Sequence, residues 1–230
     1  MIPFFLLFLL STSLTSASTN SVLEPTEYLL KIEPNFTDST YEAEVQIHVK
    51  LSGELKEFQL KTPKNAEIVS IYFFEASRLS GDEPDFVGQP TKHELNRETE
   101  TETCKLMSPS TQRDTKAGAY IRVTYLGKVA NKSAESTSPI YFSDANTIEV
   151  KQKAGRFFPV LNDSQIAKVQ LTVITDYRAG VEPSNGLVAG KHHDYKNNKF
   201  ANVFKSSKDV KVTDISFKVK APTQLILDSH

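Results

Sequence analysis

The run Tyr41-Glu-Ala-Glu-Val45-Gln-Ile-His-Val49-Lys-Leu51 decides the fold class. Tyr41, Ala43, Val45, Ile47, Val49 and Leu51 fall on one side of a period-two pattern, and Glu42, Glu44, Gln46, His48 and Lys50 fall on the other. That pattern belongs to a strand with one face in a core and one in water. Shorter alternations recur at Tyr28-Leu30-Ile32, Phe58-Leu60, Ala119-Ile121-Val123-Tyr125, Val169-Leu171-Val173, Val210-Val212 and Ile215-Phe217-Val219. Turn-forming clusters separate them, among them Ser52-Gly53, Thr62-Pro63-Lys64-Asn65, Leu126-Gly127-Lys128 and Pro183-Ser184-Asn185-Gly186. No window of helical length carries a helical apolar period.

The sequence therefore predicts an all-β, antiparallel two-sheet sandwich with scarce helix and strands near 26–34, 41–51, 55–61, 67–74, 119–126, 167–175 and 209–219. Val45, Ile47, Val49, Ile121, Val123, Leu171 and Val173 are expected inside, with Glu44, Gln46 and Arg122 outside. Residues 76–117 break the pattern, being polar and rich in Thr and Glu, so a long polar loop with at most one edge strand is expected there. Cys104, the single cysteine, is expected to be a loop thiol in that stretch, and a lone cysteine forms no internal disulfide.

The 230 residues suit one large β-domain whose core alone supplies its stability. Lys and Arg (27) nearly cancel Asp and Glu (28), so no basic field marks a nucleic-acid partner. Met1 to Leu10 is almost wholly apolar, and the small residues Ser16, Ala17 and Ser18 follow it. Residues 1–18 thus have the character of a signal peptide, leaving 19–230 as a secreted, extracellular domain. The alternative is a protein anchored at the cell surface by an uncleaved N-terminal segment, against which stands an apolar run well short of the roughly 20 residues a spanning helix needs. No later stretch is apolar enough to span. Asn35-Phe-Thr37, Asn131-Lys-Ser133 and Asn162-Asp-Ser164 are N-glycosylation sequons, which in a secreted chain belong on exposed turns.

Several segments in order resemble one family. Pro25-Thr-Glu-Tyr28-Leu-Leu30-Lys-Ile32-Glu-Pro34 resembles the opening strand, P-x-x-Y-x-L-x-[LI]-x-P, of the N-terminal β-domain of aminopeptidase N-type zinc metallopeptidases. Tyr41 to Val49 is similar to the second strand of that domain, and Leu55 to Ile71 to its third and fourth. Tyr120-Ile-Arg-Val-Thr-Tyr-Leu-Gly127 resembles its Y-x-L-x-I-x-Y-x-G strand. Ala154-Gly-Arg156-Phe-Phe158-Pro159-Val-Leu-Asn-Asp163 is similar to A-R-x-A-F-P-C-F-D-E-P, with Val160, Asn162, Asp163 and Ser164 in place of Cys, Asp, Glu and Pro. Ala167 to Ile174 and Pro183-Ser184-Asn185 resemble the strand and turn that follow, and the segment from Phe217 to Leu227 resembles the last strand before the catalytic domain. The resemblance implies one β-domain of a longer enzyme, shaped as a sandwich or saddle.

Its catalytic chemistry needs a zinc held by two His and a Glu, with a further Glu activating the bound water, and these belong to the following domain. His93-Glu94-Leu95-Asn96-Arg97 imitates H-E-x-x-H but ends in a cation that cannot ligate zinc, in what is expected to be loop. His192 and His193 are expected at a solvated hairpin tip, where adjacent side chains diverge. No metal site and no cofactor are expected. In active relatives a T-Q-x-E-P segment lends a Gln and a Glu to the substrate's free amine. An ungapped match sets Thr147 on that Thr, Ile148 on the Gln and Val150 on the Glu, so both anchors are apolar here, and a one-residue gap would set Glu149 on the Glu instead. A carboxylate that holds an ammonium cannot be replaced by an isopropyl group without losing that recognition. The sequence thus points to a non-catalytic binding or accessory module whose partner is an unknown protein or peptide. The alternative is the N-terminal fragment of a zinc metalloaminopeptidase, which removes N-terminal residues from peptides, with the catalytic domain on another segment. A third expectation is an unrelated β-sandwich adhesion or ligand-binding domain, since fold does not dictate function.

Overall fold

The computed structural model describes residues 23–63, 65–76, 86–110, 118–134, 138–151, 156–176, 179–184, 187–195 and 199–221, with side chains of 191–195 left aside. The signal-like segment at 1–18 therefore lies outside the described residues. The alternation centred on Val45 becomes β2 (Thr40–Leu51), flanked by β1 (Leu23–Asn35) and β7 (Ala119–Lys128). Val45, Ile47, Ile121, Val123, Leu171 and Val173 are fully buried and Val49 nearly so, while Glu44, Gln46 and Arg122 sit on the wetter face, as the period-two pattern requires.

The remaining strands are β3 (Leu55–Lys61), β4 (Ala66–Ala76), β5 (Phe86–Asn96), β6 (Thr101–Ser110), β8 (Ile140–Asp144), β9 (Thr147–Val150), β10 (Ile166–Asp176), β11 (Gly180–Pro183), β12 (Leu187–Tyr195), β13 (Lys199–Ser206), β14 (Val210–Lys211) and β15 (Phe217–Lys220). The large sheet runs β12-β13-β10-β1-β2-β7-β4-β5-β6-β3, with β14 pairing β10, and the small sheet runs β11-β15-β9-β8. Helix among the described residues is confined to single 3-10 turns at Lys132–Ala134 and Val212–Asp214. The sheet is not purely antiparallel. β1 pairs β10 in parallel, from Glu27 opposite Lys168 to Ile32 opposite Val173.

Three local expectations are corrected. Residues 86–110 are not loop but a β-hairpin, β5 and β6, continuing the large sheet from β4 to β3. One face carries Thr91, His93, Leu95, Glu102, Cys104 and Leu106, of which Glu102 and Cys104 are buried while His93 and Leu95 are exposed, so no row of buried aliphatics marks the alternation. Cys104 is consequently a core residue of β6 with no exposed surface. Burial, aided by the Glu102 charge, pushes its thiol pKa far above the ordinary value. The predicted 209–219 strand splits into β14 and β15 around the turn at Val212–Asp214, because Val212, Ile215 and Phe217 all turn into the core. His192 and His193 lie within β12, paired with Asn202 and Ala201, rather than at its tip.

The two sheets meet through the segment after Arg156. Phe158 packs edge-on to Tyr28 of β1 at 6.1 Å and to Phe157 at 4.6 Å, and Phe157 packs edge-on to Phe217 of β15 at 5.8 Å. Two buried tyrosines fix the backbone of this wedge: the Tyr125 hydroxyl donates to the Phe157 carbonyl at 3.1 Å, and the Leu161 N–H donates to the Tyr28 oxygen at 3.4 Å. Gly127, two residues after Tyr125, lies under the Tyr41 ring, where an added Cβ would come within 2.2 Å of a ring carbon. Tyr41 is buried edge-on against Tyr125, so its ring would have to shift out of that contact. Gly127→Ala is therefore expected to destabilise the domain by about 1–3 kcal/mol through overpacking, read as a fall in denaturant midpoint at unchanged m-value. Cys104 is expected to stay unreactive toward a thiol reagent in native buffer and to react fully after denaturation.

Candidate functional site

The positions singled out around 147–150 fall on β9, a central strand of the small sheet, buried over its whole length. Alternation divides them. Ile148 and Val150, each 1% exposed, lie in register with Phe142, Val219, Ile140 and Phe217 and belong to the apolar cluster joining the sheets. Glu149 faces the other way, in a rung between Tyr141 and Lys218.

Glu149 is 6% exposed and fully engaged by its own chain. The Tyr141 hydroxyl donates to Oε2 at 3.0 Å, and the ammonium groups of Lys218 and Lys151 lie 3.1 and 3.2 Å from Oε1. Lys151 also lies over the Tyr141 ring, 5.6 Å from its centre. Burial alone would raise the Glu149 pKa, but the bonds from Lys218, Tyr141 and Lys151 outweigh it and hold the carboxyl below its ordinary range.

A second polar cluster ties the turn after β5 to the wedge. Arg156 pairs with Asp163 at 3.0 Å and with Glu100 at 3.0 Å, and Lys61 reaches the same Asp163 at 2.7 Å. Burial pushes the Asp163 pKa up, and Lys61 and Arg156 together bring it below the usual carboxylate range. The Arg of the A-R-x-A-F-P-like run is thus a structural clamp between the wedge and the β5–β6 turn.

The remaining singled-out residues are dispersed. His93 and Glu94 are successive residues of β5 and point to opposite faces of the sheet, so the imitation of H-E-x-x-H has no ligand geometry. The stretch is strand, where loop was expected. Among the described residues no three His, Cys, Asp or Glu side chains are grouped as metal ligands, and no helix is long and apolar enough to cross a membrane. Asn35, Asn131 and Asn162 are all exposed, at the end of β1, before the 3-10 turn at 132–134 and in the turn before β10. The signal that sequence inspection passed over is Glu102, a carboxylate only 3% exposed in the overlooked hairpin.

Glu149 and Asp163 both have depressed native pKa values, so their contribution is complete above the unfolded carboxylate range and is lost as pH falls through the native values. Stability is accordingly expected to fall in acid below about pH 4. Glu149→Gln is expected to flatten that acid limb and to cost about 1–3 kcal/mol at neutral pH, both read from urea midpoints across pH.

No protein-family model and no curated protein matches the chain. Solved structures do. An M1 zinc metallopeptidase variant from Deinococcus radiodurans, bound to the substrate Tyr-Ser-Ala, aligns with a TM-score of 0.64 at 13% identity. The match covers 89% of this chain and 46% of that one, so this chain spans less than half the length of the peptidase it resembles. At that identity the likeness establishes the fold: a large and a small β-sheet arranged as in an M1 metallopeptidase β-domain.

Proposed function

We propose that the chain is a secreted, non-catalytic domain of aminopeptidase-like fold that acts as a binding or accessory module. The observation that carries this reading is the state of Glu149. Whichever way the T-Q-x-E-P segment is matched, this chain offers no free anchor for a substrate amine. Ile148 and Val150 are apolar and turned into the core, and Glu149 is held by Lys151, Lys218 and Tyr141. A carboxylate already neutralised by two ammonium groups has little field left for a third.

Secretion is supported by the apolar run Met1 to Leu10 with Ser16-Ala17-Ser18 behind it, and by the exposure of all three sequon asparagines, Asn35, Asn131 and Asn162. The second reading, the N-terminal part of a zinc metalloaminopeptidase whose catalytic domain lies on another segment or chain, is favoured by the coverage of 46% of a metallopeptidase.

One experiment separates the two. Glycosylated protein from a eukaryotic host is assayed with a fluorogenic aminoacyl substrate and for bound metal, alone and after mixing with a separately produced metallopeptidase catalytic domain of the same fold family. The expected outcome is no zinc on this protein alone, and after mixing no chelator-sensitive turnover beyond that of the catalytic domain by itself. Stoichiometric zinc with turnover overturns the non-catalytic reading, and turnover gained only on mixing establishes the second one.

A further inference from the structure

The β5–β6 hairpin and the end of the large sheet where β2 begins and β7 ends line an open cleft of about 1010 Å³. Glu102 and His93 stand in its wall. They lie on the same face of the hairpin, one pair apart in register, and His93 Nδ1 meets Glu102 Oε1 at 2.5 Å. The second carboxylate oxygen, Oε2, is buried with no hydrogen-bond partner among the described residues. A buried carboxylate oxygen without a donor is costly, so the fold leaves an acceptor in this wall that a ligand can satisfy.

The rest of the lining states what that ligand is. Leu95, directly opposite Glu102, together with Pro63, Ala66 and Ile68, gives the cleft an apolar path beside Glu102, and Leu126 lines it from the other face of the sheet. Carboxylates outnumber cations around it: Glu42, Glu67 and Glu102 face Arg97 and Lys128, while Glu100 is turned to Arg156. Because His93 occupies Oε1, only the buried Oε2 lacks a partner, which suits a compact single-point donor rather than the two-pronged guanidinium. An aliphatic stem ending in an ammonium matches both the path and its end.

We propose that this cleft binds a primary ammonium group, carried as a lysine side chain on a peptide segment of a partner protein. The proposal rests on the binding-module reading for its partner and supplies that reading with a site far in sequence from Glu149.

The test is calorimetric titration of the whole mature protein with the peptide Ala-Lys-Ala, acetylated and amidated at its ends. The comparison peptide carries norleucine for Lys, which keeps the stem and removes the ammonium. A third, Ala-norleucine-Ala with a free α-amine, separates the two sources of an ammonium. Saturable binding of the lysine peptide with Kd at or below about 1 mM is expected, at least tenfold weaker for both other peptides. Glu102→Gln, which retains an acceptor for His93, is expected to weaken the lysine peptide at least tenfold, and the distant Glu54→Gln to leave it unchanged. Should Glu102→Gln fail to fold, Leu95→Lys places the chain's own ammonium opposite Glu102 and is expected to abolish binding without lowering the thermal midpoint. Equal affinity for the lysine and norleucine peptides, no binding in this range, a preference for the free α-amine, or undiminished binding to either cleft variant overturns the proposal. None of these outcomes bears on turnover or zinc content, which test the non-catalytic reading separately.

Discussion

Everything else in this domain hangs on the wedge of Phe157 and Phe158 between two sheets that make few other ring contacts. Neither sheet can bury its inner face alone: the small one has four strands, and its inward residues among those described are Ile140, Ile148, Val150, Phe217 and Val219 with the partly buried Phe142 and Val181. The wedge joins these to Tyr28 and the large sheet. Its backbone is irregular, so its polar groups must find partners outside a ladder, and Tyr28 and Tyr125 supply them. The residues that carry the family resemblance, Tyr28, Tyr125, Gly127 and the Arg156-Phe-Phe158 run, converge on this joint. The resemblance is a resemblance of construction.

The fold matches that of a metallopeptidase at 13% identity. A joint made of two rings, two hydroxyls and one glycine constrains a handful of positions and leaves the outer faces free. On the outer face of the small sheet Glu149 is tied to Lys151 and Lys218. Arg156, next to the wedge, serves packing by clamping Asp163 and Glu100.

What the sequence disclosed follows from which faces are dry. β2, β7 and β10 each set a full row of aliphatics against the core, so period two was plain at Val45, Ile121 and Leu171. The β5–β6 hairpin was hidden because one face carries Thr91, His93, Leu95, Glu102 and Cys104, a set that reads as polar surface until the structure shows Glu102 and Cys104 buried. β9 was hidden for the opposite reason: all four of its residues are buried, Thr147 and Glu149 included, so it has no wet face to mark a rhythm. The candidate cleft belongs to the first case. A buried carboxylate among Thr and Glu repeats has no signature in one dimension, since its neighbours in space are His93 and Leu95 of β5 and Leu60 of β3.

The parallel seam between β1 and β10 has a consequence for how the chain is made. β1 and β2 lie next to each other in sequence and can pair as soon as both have been synthesised, but the other edge of β1, from Glu27 to Ile32, waits for Lys168 to Val173. Loop closure over so long a stretch is slow, and until it occurs an edge carrying Tyr28, Leu30 and Ile32 stands open to any other extended chain. Until residues 168–173 have been made and docked, the nascent polypeptide is vulnerable to mispairing along that edge of β1. A sugar attached at Asn35, where β1 ends, would stand beside that open edge during the interval, a shield whose value is greatest before the native sheet exists.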